Sequence, residues 1–247
     1  GDYTTANEVN LLLTIQAYQE AIHSQSYSYI LDTIASPEER TDILYQWRDD
    51  KHLLERNKFI GNIYNEFVEN PSRENYMRTV IGNYILEGIY FYSGFMFFYN
   101  LGRMGKMPGT VQEIRYINRD ENTHLWLFRS IVNELKKEEP DLFTEEKMEE
   151  YKAMLKEGVR QEIEWGKYVV GDNISGLTTQ MIQDYIEYLG NLRGRGLGVG
   201  NLFDRNIEEP QSMKWVSEYS DPNEIKTDFF EGKVSAYSKS SVFEDDL

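Results

Sequence analysis

Glu20-Ala-Ile-His-Ser-Gln-Ser-Tyr27 is the stretch on which the reading of this chain turns. In an α-helix, positions three and four apart share a face, so Glu20, His23 and Tyr27 point a carboxylate, an imidazole and a phenol at one spot. A second copy of the pair, Glu121-Asn-Thr-His124, lies far downstream, and the whole chain has only three histidines. Two Glu-x-x-His helices facing each other can hold two metal ions. The alternative for each pair is an ordinary helix-surface contact, but both have apolar or aromatic flanks, with Leu11 to Ile15 near one and Leu125 and Trp126 beside the other.

Composition narrows the field. The 247 residues suffice for one large domain or two small ones. A net charge of −16 repels phosphates and anionic surfaces, so neither nucleic acid nor a membrane is expected as a partner. The absence of cysteine excludes disulfides, thiol catalysis and cysteine-ligated metals. It also fits a cytoplasmic address, as does an opening Gly1-Asp-Tyr-Thr-Thr without a basic or apolar leader pattern.

Helix signals recur and strand signals are almost missing, which predicts an all-α class. Thr5-Ala-Asn-Glu8 reads as a capping box opening a helix at Ala6 that runs to about Ile34. Ser36-Pro37-Glu38-Glu39 opens a second helix, expected to run to about Phe67. A third surrounds Glu87 and stops near Gly102, and Thr110-Val-Gln-Glu113 caps the helix of Glu121 and His124. Further helices are expected from Thr144 to Val170 and from Thr178 to Arg193, the latter ended by Gly194 and Gly196. These elements form one helical domain over 1–200, followed over 201–247 by an extended segment and a flexible tail without helical period from Ser217.

The apolar run from Thr79 to Leu101 is long enough to span a bilayer, yet it carries Glu87, Asn83, Ser93 and Asn100. A central bundle helix fits it better, because an unpaired carboxylate in lipid is costly. Glu87 is the only carboxylate between Glu74 and Glu113. Buried alone it would cost several kcal/mol unless paired, protonated or bound to a metal. Di-iron and di-manganese carboxylate bundles use two Glu-x-x-His helices and one carboxylate from each of two more helices. The chain supplies both motifs and one of the two lone carboxylates. Glu8 stands roughly 18 Å along the helix axis from Glu20 and cannot reach the site.

Together, Glu20 to Tyr27, Leu86-Glu87-Gly-Ile-Tyr-Phe91-Tyr-Ser-Gly-Phe95 and Arg119-Asp120-Glu121-Asn-Thr-His124 resemble the small, radical-generating subunit of class I ribonucleotide reductase, from near Thr5 to the C-terminus. The resemblance implies a ferritin-like bundle in which Glu20, His23, Glu87, Glu121 and His124 ligate two iron ions, or an iron–manganese or dimanganese pair. It implies that Tyr27 becomes a stable radical and that Phe91, Phe95 and Ile117 line a dry pocket around it. Asp120 would accept from His23 and join the radical route, Tyr237 would relay the radical, and Phe243 to Leu247 would dock on the large catalytic subunit. A homodimer is expected as well.

Family members carry about a hundred further residues ahead of this start, with the remaining carboxylate and a route tryptophan. A cropped chain, or a split gene whose N-terminal fragment is a separate partner, are both consistent with that difference. Two other functions stay open: a ferritin-like dimetal oxidase acting directly on a small substrate, and a C-terminal piece active only with its partner. Gly194, Gly196, Gly198 and Gly200 make no dinucleotide motif, and His52 lacks the glutamate that stands three residues before the other two histidines.

Overall fold

The computed structural model describes residues 3–220. Helices build all of the regular structure among the described residues: α1 Asn7–Ile34, α2 Pro37–Tyr45, α3 Lys51–Glu69, α4 Arg73–Gly88, α5 Tyr92–Arg103, α6 Pro108–Glu138, α7 Glu145–Val170, α8 Thr179–Leu197 and α9 Lys214–Ser220. The apolar helix α4 lies at the centre, packed against α3, α6 and α7, while α1 lies on α6 and α8 on α7. Ile81, Ile85, Ile89, Met96, Tyr99, Ile114 and Leu155 are fully buried in that core.

Several expected boundaries move, each for a local reason. Helix α1 begins at Asn7 after an uncapped Ala6, so the Thr5 box does not form; instead Asn10 donates its side-chain amide to the Thr4 carbonyl. The capping box at Ser36 is present. The single helix expected from there to Phe67 is broken, because Asp50 accepts from the His52 and Leu53 amides and starts α3. Helix α6 begins at Pro108 rather than at a Thr110 cap, with Met107 left-handed before it at φ 48°.

Gly194 and Gly196 lie inside α8, and the helix ends at Gly198 in the left-handed region. Gly194 is there for close approach: a Cβ at this position would stand 2.4 Å from the Gly200 carbonyl oxygen. The chain after Gly200 packs on the bundle as far as Ser220. Asn191 accepts from the Leu202 and Phe203 amides, and Leu202, Met213 and Val216 join the core. Helix α9 therefore covers Ser217, where no helical period was expected.

The run from Thr79 to Leu101 is two helices. At its midpoint the Ile89 and Tyr90 amides both donate to the Ile85 carbonyl, a widened turn that ends α4 before α5 starts at Tyr92. Among the described residues no helix is long and apolar enough to cross a membrane.

Candidate metal centre

Three helices converge on one point. Helix α1 presents Gln16, Glu20 and His23 along its inner face, at the i, i+4, i+7 spacing of one helical side. Helix α4 ends one residue after Glu87, and α6 brings Glu121 and His124 from its buried face. Ligand atoms of Glu20, Glu87, Glu121 and His124 all lie within 4.8 Å of one another. His23 adjoins the group, its Nδ1 3.2 Å from Glu121 Oε1 and 3.5 Å from Glu20 Oε2. The two imidazole centroids stand 6.1 Å apart.

His124 Nδ1 lies 3.0 Å from Glu121 Oε2, 3.3 Å from Glu20 Oε1 and 3.4 Å from Glu87 Oε2. The outer nitrogens face other partners: His124 Nε2 stands 3.0 Å from Gln19 Oε1, and His23 Nε2 stands 3.3 Å from Asp120 Oδ2. Each ring thus aims Nδ1 inward and is fixed from behind, the arrangement that orients metal-binding histidines. Gln16 also donates to Glu87 Oε1 at 2.7 Å. Neither glutamine was singled out as a site residue from the sequence. The available signal was their spacing, four and one residues before Glu20.

The electrostatics is that of a cluster built for cations. Burial pushes the Glu87 carboxyl well above its usual range, reinforced by the adjacent Glu121 and Glu20 and opposed by His124. Burial acts on Glu121 in the same direction, but His124 and His23 overcome it and hold that carboxyl low. Both histidines are pushed up to about 11: burial, which alone would lower them, is outweighed at His23 by Asp120, Glu121 and Glu20, and at His124 by Glu121, Glu20 and Glu87. Glu20 Oε1 and His23 Nδ1 are buried without a well-formed hydrogen bond. Three carboxylates and two inward-facing imidazole nitrogens, two donor atoms orphaned, fit divalent metal ions, which would take the place of the protons.

Tyr27 lies beside this cluster. It lines a cavity of about 530 Å³ together with Glu20, His23, Phe91 and Glu121, walled by Ile43 and Leu44 of α2. Burial and the Glu121, Glu20 and Glu113 charges raise its hydroxyl pKa. Its side is nevertheless reached by solvent, Tyr27 being 37% exposed, so the sealed pocket expected around it is open between α1 and α2.

Phe91 faces the cavity; Phe95 and Ile117 are buried and do not line it. The widened turn precedes both phenylalanines and changes their phase relative to Glu87; Phe95 follows Phe91 by one regular helical turn, and its ring lies among Phe91, Tyr92 and Tyr99 at centroid distances of 6.2, 5.4 and 6.4 Å. Tyr237, Phe243 and Leu247 lie outside the described residues.

The family model for the ribonucleotide reductase small chain matches residues 1–210. The chain belongs to that family. It is 66% identical, over all 247 residues and 70% of the relative's length, to a ribonucleoside-diphosphate reductase subunit beta of Treponema pallidum. A second subunit beta, from Halalkalibacterium halodurans, is 39% identical over 98% of this chain and 69% of the relative. Among solved structures, the small-chain fold is matched by a ribonucleotide reductase R2 subunit from Clostridium botulinum with a TM-score of 0.84 and 52% identity, covering 89% of this chain and 68% of that one. The all-α, ferritin-like architecture is that of the family.

Proposed function

We propose that this chain acts as the small subunit of a ribonucleoside-diphosphate reductase, with Glu20, His23, Glu87, Glu121 and His124 holding a pair of metal ions and Tyr27 carrying the radical. The observation that supports it is the convergence of five donors from three helices beside a tyrosine in the same cavity. When bound, the metal pair supplies oxygen activation and the oxidising equivalent. Carboxylate and imidazole donors suit two iron ions, and manganese in one or both positions equally.

The protein's own residues set the conditions. Asp120, 3.3 Å from His23 Nε2, fixes the ring so that Nδ1 faces the centre. Gln16 holds one oxygen of Glu87 and leaves the other, Oε2, facing the centre. Phe91 adds to the apolar wall of the cavity that Tyr27 lines, a side chain without a proton to give. The radical would leave by way of Asp120 and a tail tyrosine, Tyr237, to a large catalytic subunit that docks Phe243 and Leu247. A homodimer and a cytoplasmic address belong to the same reading.

Reconstitution with Fe(II) and oxygen, followed by electron paramagnetic resonance, tests it. A tyrosyl signal that disappears in Tyr27→Phe is expected. Bound metal with no Tyr27-dependent signal would overturn the assignment. The open 530 Å³ cavity favours one competing reading, a dimetal oxidase acting on a small substrate in that space. Oxidase turnover that persists without a large subunit and in Tyr27→Phe would support that instead.

A further inference from the structure

Arg56 and Glu162 form a buried ion pair away from the metal ligands, with Arg56 Nη2 2.7 Å from Glu162 Oε2 and the two side chains 9% and 0% exposed. A buried pair of this kind is poor evidence of stabilisation, since desolvation offsets most of the attraction. What it touches is more informative. Arg56 Nη2 also donates to the Tyr90 carbonyl at 2.6 Å. Glu162 Oε1 accepts from the Ser93 amide at 2.8 Å and from the Ser93 hydroxyl.

Both contacts fall on the interruption between α4 and α5. Breaking a helix leaves carbonyls unpaired behind the break and amides unpaired ahead of it, and buried orphans of this kind must be satisfied. Phe91, the capping position of α5, offers no side-chain acceptor. Glu162, from α7, supplies the missing cap and places a carboxylate at the helix N-terminus. Arg56, from α3, satisfies the carbonyl on the other side, and Arg193 of α8 donates to the Gly88 carbonyl at 3.1 Å. Glu87 precedes this joint by two residues, and Phe91 is its last residue before α5.

We infer that Arg56 and Glu162 are positioning residues, which brace the α4–α5 break and thereby set the Glu87 carboxylate and the Phe91 ring relative to the metal centre. The inference rests on the metal-centre reading for its consequence, but not for its local content. The Arg56 guanidinium additionally lies over the Tyr90 ring, 4.3 Å from its centroid, which locks it from a second direction.

Two variants of the full chain test it: Glu162→Gln, which keeps the shape and removes the charge, and the paired Arg56→Met/Glu162→Met, which replaces the ion pair by apolar contacts. Amide hydrogen exchange of Ile89 to Ser93 is followed in the metal-free protein, and Mn(II) binding is followed by the resonance of the free ion. Exchange at these amides should accelerate at least tenfold in either variant that folds, and Mn(II) affinity should fall by about fivefold or more. Unchanged exchange in Glu162→Gln would overturn the brace. Faster exchange with unchanged Mn(II) affinity would overturn its link to Glu87. If the unmodified protein bound no Mn(II), the metal-centre reading would fail, while the exchange comparison would still decide whether the brace exists.

Discussion

Gln16 and Glu87, on α1 and α4 and 71 residues apart, share a 2.7 Å hydrogen bond that fixes which carboxylate oxygen turns toward the metal centre. The amide donates to Oε1, so Oε2 is left to face His124. Replacing Gln16 by leucine keeps the buried volume and removes that orientation. Partners of this outer layer are typically worth about 10–100-fold in metal affinity. Calorimetric titration of Gln16→Leu with Mn(II) should show a loss within that range, with the circular dichroism spectrum unchanged.

The protonation pattern predicts an acid optimum for the metal-free protein. His23 and His124, raised from 6.5 to about 11, contribute stability that is complete below pH 6.5 and lost as pH rises through 11. Glu87, also raised in the folded state, contributes below its ordinary 4.5 and loses that contribution as pH rises. Glu20, Asp120 and Glu121 have the opposite sign: their contribution is present above the ordinary carboxylate range and lost as pH falls. The site therefore stabilises most near pH 5. Thermal unfolding of the metal-free chain should show a lower midpoint at pH 9 than at pH 5. Metal loading should flatten this alkaline loss, because metal ions replace the protons. The variant His23→Gln/His124→Gln should show a shallower loss even without metal.

Gly194→Ala places a methyl group 2.4 Å from the Gly200 carbonyl oxygen, a backbone atom that cannot swing aside. Overpacking of this kind costs about 1–3 kcal/mol. Urea unfolding should show a lower midpoint, with a free energy of unfolding reduced by that amount. Gly61→Ala, where no atom lies within 4 Å, should not be destabilised and serves as the control.

The cavity beside Tyr27 gives small molecules a way in. Leu44→Trp should fill part of the 530 Å³ without touching a proposed ligand. Decay of the tyrosyl signal in the presence of a small water-soluble reductant should slow in this variant, while the amount of metal bound stays the same. Equal decay rates would show that reductant reaches Tyr27 by another path.

The five proposed ligands were legible because their signals are local or strongly improbable. Glu-x-x-His depends only on helical spacing, and a lone Glu87 stands out in an apolar run. The break after Glu87 was not legible, since Gly88 to Phe91 reads as an unremarkable continuation of α4 and the groups that hold it come from Arg56, Glu162 and Arg193. Long-range partners of this sort leave no periodicity. Start signals failed where the chain entered the helix elsewhere: Thr5 and Thr110 look like caps, but α1 starts after an uncapped Ala6 and α6 at Pro108, and of the expected caps only Ser36, Thr144 and Thr178 accept the amide. The stop at Gly198 was misread as Gly194 because the sequence does not distinguish a glycine needed for a left-handed turn from one needed for close packing.

The interruption of α4 has a mechanical consequence. Helix α9 packs on α5 and α6, and α5 follows the helix that carries Glu87 after Ile89 to Phe91. Were the apolar run one rigid rod, a push on α5 would be levered directly into the ligand. With a braced joint at Ile89 to Phe91, the load passes into α3 and α7 through Arg56 and Glu162, two helices that supply none of the proposed ligands. Glu87 is in this way insulated from a push on α5, while Glu121 and His124 stay tied to α9 through α6.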